Sequence, residues 1–191
     1  ETAYHYNNLA QLLQTVTKYP DGNILRTSFK YDFLGNIVTK EETAGSVSKL
    51  TTYTYDNRGK LISESTKLNG STAVTVNYTY DDMERIAKRT YGYGVIETLK
   101  HNIQGWLTSS SLYSGTSTTA QTSYTERGIT YDKNGNIKTL QRYASALQDN
   151  YSYNYSGNKI TSITGTNNDT AIASATYSYD NNGNATNDGL K

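Results

Sequence analysis

The chain has 191 residues, 18 Lys and Arg against 17 Asp and Glu, a net charge of +1, no Cys, 1 Pro and 19 Tyr. The lack of Cys excludes a disulfide framework and thiolate metal sites. The near-zero charge gives no reason to expect nucleic acid or an anionic membrane as a partner, and no apolar run is long enough to span a bilayer.

Tyr and Thr favour strands, whereas Asn and Gly favour turns, so the composition predicts a β-rich chain. A Tyr-Asp-x-x-Gly-Asn motif recurs with a mean spacing of about 25 residues, which is typical of repeat proteins. In chain order its copies begin at Tyr6, Tyr31, Tyr55, Tyr80, His101, Tyr131, Tyr153 and Tyr179. The residues assigned to the motif as structural positions are Tyr31, Asp32, Gly35, Tyr55, Asp56, Gly59, Tyr80, Asp81, Tyr131, Asp132, Gly135, Tyr153, Gly157, Tyr179, Asp180 and Gly183.

The motif has the chemistry of a hairpin turn. Its Asp carboxylate can accept hydrogen bonds from backbone amides two residues further on. Its Gly, three residues after the Asp, can supply the positive φ of a type I turn that is closed by a G1 bulge. Each repeat is therefore predicted to contain one tight turn between two strands.

The flanks of the turns alternate with a period of two, which predicts half-buried strands. Tyr-rich strands precede the turns, and return strands follow them, for example at 37–43, 61–66 and 137–143. We expect Tyr residues of successive strands to form cross-strand ladders. Two Ser-, Thr-, Gly- or Asn-rich stretches, 109–125 and 165–170, are predicted to be longer surface loops. The whole chain, 1–191, is then a single array of about eight units.

The Tyr-Asp-x-x-Gly-Asn motif at this spacing resembles the signature of the RHS/YD-repeat family, and the resemblance covers essentially the whole chain. Gly105-Trp106-Leu107-Thr108 and the segment from Asp180 to Lys191 are similar to the Bacteroidetes-type branch. The resemblance implies an all-β fold in which stacked antiparallel hairpins form a curved ribbon, a segment of a spiral shell.

The same resemblance implies a large protein that is secreted or held in the bacterial cell envelope. Such shells often enclose a C-terminal toxic domain, as in polymorphic toxins and insecticidal toxin complexes, and animal teneurins are relatives. The expected partners are the remaining repeats of a longer chain and an enclosed toxin domain. One departure is that the paired Asp-Pro-type motifs of the self-cleavage region have no counterpart, since Pro20 is the only proline.

No catalytic, cofactor-binding or metal-binding residues are predicted. A nucleophilic triad needs a His base, and the two histidines, His5 and His101, fit a strand face and the Tyr position of a repeat. The turns at Asp132 and Asp180 imitate the start of an EF-hand loop. However, the Gly and Glu that such a loop needs at its sixth and twelfth positions are missing. Hydrogen bonds within the turn explain these residues better.

Trp106 leaves two interpretations open. Trp and Tyr rings bind sugars by stacking, so an exposed Trp106 would suit a carbohydrate-binding or adhesion module. Alternatively, Trp106 packs on a neighbouring strand. The favoured hypothesis for the chain is a non-enzymatic structural scaffold, the wall segment of a shell, with the carbohydrate-binding module as the alternative and a hydrolase as a weaker third.

Overall fold

A computed structural model of the chain describes residues 1–114, 121–144, 146–167 and 170–188. These residues form seventeen strands and no helix, so the predicted all-β class is confirmed. It follows that no helix in the described ranges is long and apolar enough to cross a membrane. The chain divides into two compact units.

The first unit comprises Glu1–Tyr80 and Arg89–Gly94. Seven of its strands pair antiparallel, each with the next along the chain, so every connection is a hairpin. These strands are β1 (Thr2–Tyr6), β2 (Leu12–Lys18), β3 (Ile24–Tyr31), β4 (Ile37–Ala44), β5 (Val47–Tyr55), β6 (Leu61–Leu68) and β7 (Val74–Tyr80). The following strand, β8 (Ile86–Tyr91), contributes its last three residues to this unit.

The second unit comprises Asp81–Lys88 and Val95–Lys191. Its strands β9 to β15 again pair antiparallel in chain order, and β16 and β17 form a separate two-stranded sheet. They are β9 (Val95–His101), β10 (Leu107–Ser114), β11 (Gln121–Tyr131), β12 (Ile137–Tyr143), β13 (Leu147–Ser156), β14 (Lys159–Asn167), β15 (Thr170–Thr176), β16 (Ser178–Tyr179) and β17 (Ala185–Asn187).

The register of the hairpins follows the motif. The motif Tyr ends one strand and lies opposite the aliphatic residue that begins the return strand, as Tyr31 does with Ile37 and Tyr55 with Leu61. A register shift sits immediately before each of these pairs. This is the bulge that the positive-φ glycine was predicted to introduce.

The interior is thin. Ile129 and Leu140, which are 5% and 6% exposed, are the only buried apolar side chains among those that the structure describes, which leaves out 121–124 and 170–175, and Thr51 is as buried as they are, at 6%. The Thr51 hydroxyl lies 3.2 Å from that of Thr66 on the neighbouring strand. Because so little apolar surface is buried, hydrogen bonds and cross-strand pairs must carry a large share of the stability.

The prediction of long loops is wrong wherever the structure describes these stretches. Strand β10 continues to Ser114 and β11 begins at Gln121, so only 115–120 of the predicted 109–125 loop lies outside the described residues. Likewise, β14 continues to Asn167 and β15 begins at Thr170, which leaves 168–169 outside them. Ser and Thr suit the polar face of a strand as well as they suit a loop, so composition could not separate the two.

Candidate functional site

Each complete turn is organised around one Asp carboxylate. In the first, Asp32 Oδ1 accepts hydrogen bonds from the backbone amides of Leu34, at 2.9 Å, and Asn36, at 2.8 Å. Asp32 Oδ2 accepts a third from the Asn36 side chain, at 2.9 Å. The side-chain hydrogen bond from Asn36 is the largest cause of the lowered pKa of Asp32. Gly35 adopts a φ of +89° and donates its amide to the Asp32 carbonyl.

The other turns repeat this arrangement. Carboxylate oxygens accept the amides two and four residues further on at Asp56, Asp81, Asp132 and Asp180. In each of these the hydrogen bonds lower the pKa of the Asp. Asp132 and Asp180 thus make the hydrogen bonds within the turn that the motif predicts for them.

Decayed copies keep the geometry with other residues. Asn7 takes the Asp position and its side-chain oxygen accepts the amides of Leu9 and Gln11, both at 2.9 Å. Ala10 and Glu84 take the Gly position and still have positive φ values of 59° and 63°. The positive φ at this position is therefore a feature of every such turn, whichever residue occupies it. Gly is the residue that adopts a positive φ with least strain.

The motif tyrosines join each repeat to the preceding one. The Tyr55 hydroxyl donates a hydrogen bond of 2.8 Å to the backbone carbonyl of Ile37, the residue that begins the previous return strand. We call this contact a tyrosine joint. Equivalent joints, with donor–acceptor distances from 2.6 to 3.0 Å, link Tyr31 to Leu12, Tyr80 to Leu61, Tyr131 to Leu107, Tyr155 to Ile137 and Tyr179 to Ile160.

The motif tyrosines, which were predicted to form cross-strand ladders, are linked through these joints and not through contacts between their rings. The ring pairs in the described part of the chain are Tyr91–Tyr93, Trp106–Tyr131 and Tyr151–Tyr153, and none of them joins two motif tyrosines. The reason is that the motif tyrosines lie on alternate strands, with a return strand between them. Their hydroxyl groups reach the backbone of that intervening strand.

In the seventh copy the motif tyrosine is Tyr155, and the assignment of Tyr153 was wrong. Tyr155 lies opposite Ile160 and makes the joint to Ile137, as the motif tyrosines of other repeats do. The turn here is shortened to Gly157 and Asn158, between the paired Ser156 and Lys159. Since Tyr153 and Tyr155 share one face of the strand, alternation alone could not distinguish them.

His101 occupies the Tyr position of the fifth copy, opposite Leu107. Its side chain is 15% exposed, and its Nδ1 lies 4.0 Å from Asp81 Oδ2, which also pairs with Arg85 Nε at 2.7 Å. In the described ranges, His101 Nδ1 is the one buried side-chain polar atom without a hydrogen bond. The fifth copy therefore has an aromatic ring at this position, as predicted, but no hydroxyl with which to make a joint.

A second link between repeats involves the residue immediately before the first aliphatic residue of each return strand, which we call the covering residue. Its side chain lies over the turn glycine of the next repeat. The atoms nearest to the position that a Cβ would occupy on these glycines belong to Gln11 for Gly35, Asn36 for Gly59, Arg85 for Gly105, Trp106 for Gly135 and Lys159 for Gly183. Two covering lysines also lie over the next motif ring, Lys60 over Tyr80 at 4.7 Å and Lys159 over Tyr179 at 5.3 Å.

Trp106 is the covering residue of the fifth copy. Its Cζ2 comes within 3.2 Å of the position of a Cβ on Gly135, and its ring centroid lies 5.1 Å from that of Tyr131. The packing interpretation of Trp106 is thus correct for one part of the ring. Another part borders a groove of about 490 Å³, lined also by Gln104, Ile129, Tyr131 and Lys133.

Sequence reasoning found the turns and missed both links between repeats. The sequence did contain a signal for the tyrosine joints: an aliphatic residue lies six positions after most motif tyrosines. The backbone carbonyl of this residue accepts the hydrogen bond from the Tyr hydroxyl of the next repeat. In this arrangement each motif Asp accepts hydrogen bonds from two backbone amides, and the motif Tyr hydroxyls donate to backbone carbonyls. It is suited to holding repeats in register.

Comparison with known proteins agrees with this geometry. The family description Teneurin YD-shell matches residues 1–110, more than half of the chain. Among curated proteins, no sequence matches significantly. A crystal structure of TcdB2-TccC3-TEV is similar over 96% of this chain and 11% of its own, with a TM-score of 0.61 and 17% identity. At that identity the similarity shows the fold alone.

Two further solved structures match with less agreement. A crystal structure of TcdB2-TccC3-Cdc42 has a TM-score of 0.47 and 15% identity over 96% of this chain and 12% of its own. The pore of the Photorhabdus luminescens Tc holotoxin, carrying a mutation in TccC3, has a TM-score of 0.45 and 14% identity over the same shares. The chain thus spans only about a ninth of the length of the structures that it matches.

Proposed function

The chain belongs to the teneurin YD-shell family, and from this premise we propose that it is a non-enzymatic wall segment of a shell whose other repeats lie elsewhere in a longer protein. The family is one of structural scaffolds. The small share of the matched structures that the chain covers supports the idea that further repeats complete the wall. Its role is then to hold a wall in register, without turnover of a substrate.

The observation that carries this proposal is the series of tyrosine joints. Each joint uses a backbone carbonyl as its acceptor, so it does not depend on the side chain at that position. A repeat built in this way can be added to any preceding repeat of the same geometry, and each repeat contacts chiefly its neighbours. Such a design suits a wall of arbitrary length.

We further propose that the complete shell is secreted or lies at the bacterial cell surface and encloses a C-terminal toxin domain. The support for this is the resemblance to RHS/YD-repeat proteins, in which repeats of this kind enclose such domains. The wall would keep the toxic domain away from proteases and from the producing cell until it is released.

Protease protection of the full-length protein tests this proposal. The complete gene is expressed, and the protein is digested for increasing times with the repeats folded. The segment that follows the repeats should survive longer than the same segment expressed alone, and electron microscopy should show a hollow particle. A following segment that is digested equally fast in both settings would contradict the enclosure of a toxin. Particles without a cavity would contradict the shell itself.

A further inference from the structure

We propose that the groove beside Trp106 is a saccharide-binding site, in which a pyranose ring stacks on the exposed part of the indole and its hydroxyl groups bond to Gln104 and Lys133. This goes beyond the scaffold function, because a wall segment needs no ligand. It also gives the carbohydrate-binding interpretation of the sequence a defined place in the fold.

The walls of the groove are aromatic. The Trp106 and Tyr131 rings meet at 48° with centroids 5.1 Å apart, so they form a concave corner. Ile129, which is 5% exposed, closes the apolar lining. Aromatic faces carry partial negative charge and attract the polarised C–H groups that cover one side of a pyranose ring. The volume of about 490 Å³ is in the range of small-ligand sites.

The rim of the groove is polar. Gln104 and Lys133 are exposed at its edge, one from each of two successive turns, and neither makes a hydrogen bond within the described ranges. The amide of Gln104 both donates and accepts, and the Lys133 ammonium group donates three hydrogen bonds. The indole N–H of Trp106 also makes no hydrogen bond in these ranges, and it is not buried. A ligand rich in hydroxyl groups satisfies all three.

The position is unusual among the repeats. The other covering residues are polar or charged, such as Gln11, Asn36 and Arg85, and each of these can cover a glycine without an aromatic ring. Packing on the next turn therefore does not by itself require Trp. An aromatic ring that borders an open groove can serve as a binding platform, which the other covering residues cannot.

Titration of the whole chain with defined oligosaccharides tests the site. The probes are the hexasaccharides of maltose, cellulose, chitin and polygalacturonate type, followed by calorimetry. We expect saturable binding of at least one probe, weakened about tenfold or more by Trp106→Ala and weakened also by Gln104→Ala and Lys133→Ala. Trp106→Phe, which keeps an aromatic face, should bind better than Trp106→Ala.

The matched control is Asn36→Ala, which removes the covering residue over Gly59, contacts no residue of the groove, and should bind like the unaltered chain. Thermal melts accompany each variant, and the exposed Gln104 and Lys133 variants keep the test valid if Trp106→Ala unfolds the turn. The proposal is overturned if none of the four probes binds, or if binding is unchanged in Gln104→Ala and Lys133→Ala. Either result leaves the shell proposal intact, since that depends on protease protection of the full-length protein.

Discussion

Removing one tyrosine hydroxyl should loosen one joint between repeats and leave the rest of the array in place. Tyr55→Phe deletes the donor of the 2.8 Å hydrogen bond to the Ile37 carbonyl while keeping the ring. Tyr53, two residues earlier on the same strand, is also half-buried, and its hydroxyl makes no hydrogen bond within the described ranges. Tyr53→Phe is therefore a control with the same chemistry and no joint.

The expected loss follows from the hydrogen bond alone. A half-buried hydrogen bond of this kind contributes about 0.5–1.5 kcal/mol net, so Tyr55→Phe should lower the free energy of unfolding by about 1 kcal/mol. Strands lie about 4.8 Å apart, which separates the motif tyrosines of successive repeats by about 10 Å, far enough for their effects to add. The triple replacement of Tyr31, Tyr55 and Tyr80 by Phe should then cost about 3 kcal/mol.

Urea denaturation followed by circular dichroism measures these losses. The midpoint should fall in Tyr55→Phe while the slope stays constant, since the surface exposed on unfolding does not change. Tyr53→Phe should leave the midpoint near that of the unaltered chain. If the two single variants were equally stable, or if the triple variant lost no more than one of its members, the tyrosine joints would not hold the repeats together.

Three more predictions concern the turns and the buried phenols. Asp56→Asn should keep a melting temperature close to that of the unaltered chain, because Asn7 makes the same two amide contacts in the first copy. Asp56→Ala, which has no oxygen to accept these amides, should melt at a lower temperature. Equal losses of melting temperature in both variants would contradict the turn mechanism. Gly135→Ala should lower the urea midpoint more than Gly22→Ala, because both glycines have φ near +86° but only Gly135 lies under Trp106. In a Trp106→Ala background the two midpoints should lie closer together. A difference between the midpoints that stays constant in that background would refute the covering role. Burial, followed by the hydrogen bond to Glu64, raises the pKa of Tyr78 to about 12, above its ordinary 10.0, so its stabilising effect is complete below pH 10.0 and is lost as the pH rises towards 12. Urea midpoints measured across that interval should fall less steeply in Tyr78→Phe, and an unchanged slope would contradict the assignment.

The turns could be predicted from the sequence because their chemistry is local. An Asp that reaches amides two and four residues away, and a Gly with positive φ three residues after it, need nothing beyond one short segment. The strands next to these turns followed from alternation, and the register followed from the bulge. Each of these features is determined by residues within about ten positions of one another, so the sequence alone is enough to predict them.

The contacts between repeats could not be predicted in the same way. Tyr153 and Tyr155 are both tyrosines on the same face of the same strand. Only the hydrogen bond to the Ile137 carbonyl, on another strand, shows that Tyr155 is the motif tyrosine. The stretches 109–114 and 121–125 were assigned to a loop because Ser and Thr dominate them. They are strands because neighbouring strands supply their hydrogen-bond partners. Both errors arise where pairing between strands outweighs local composition.

His101 shows how much one joint matters to such an array. The fifth copy has lost the hydroxyl and leaves His101 Nδ1 buried without a hydrogen bond, yet its turn is intact, and the next repeat still makes its joint from Tyr131 to Leu107. A buried polar group without a hydrogen bond costs free energy because it has lost its contact with water. Here each repeat is held by its own turn, by two strand pairings and by a covering residue, so the loss stays within one interface. The same independence explains why the motif can decay at half of its copies without the fold changing, and why a segment of this kind is better suited to extending a wall than to building an active centre.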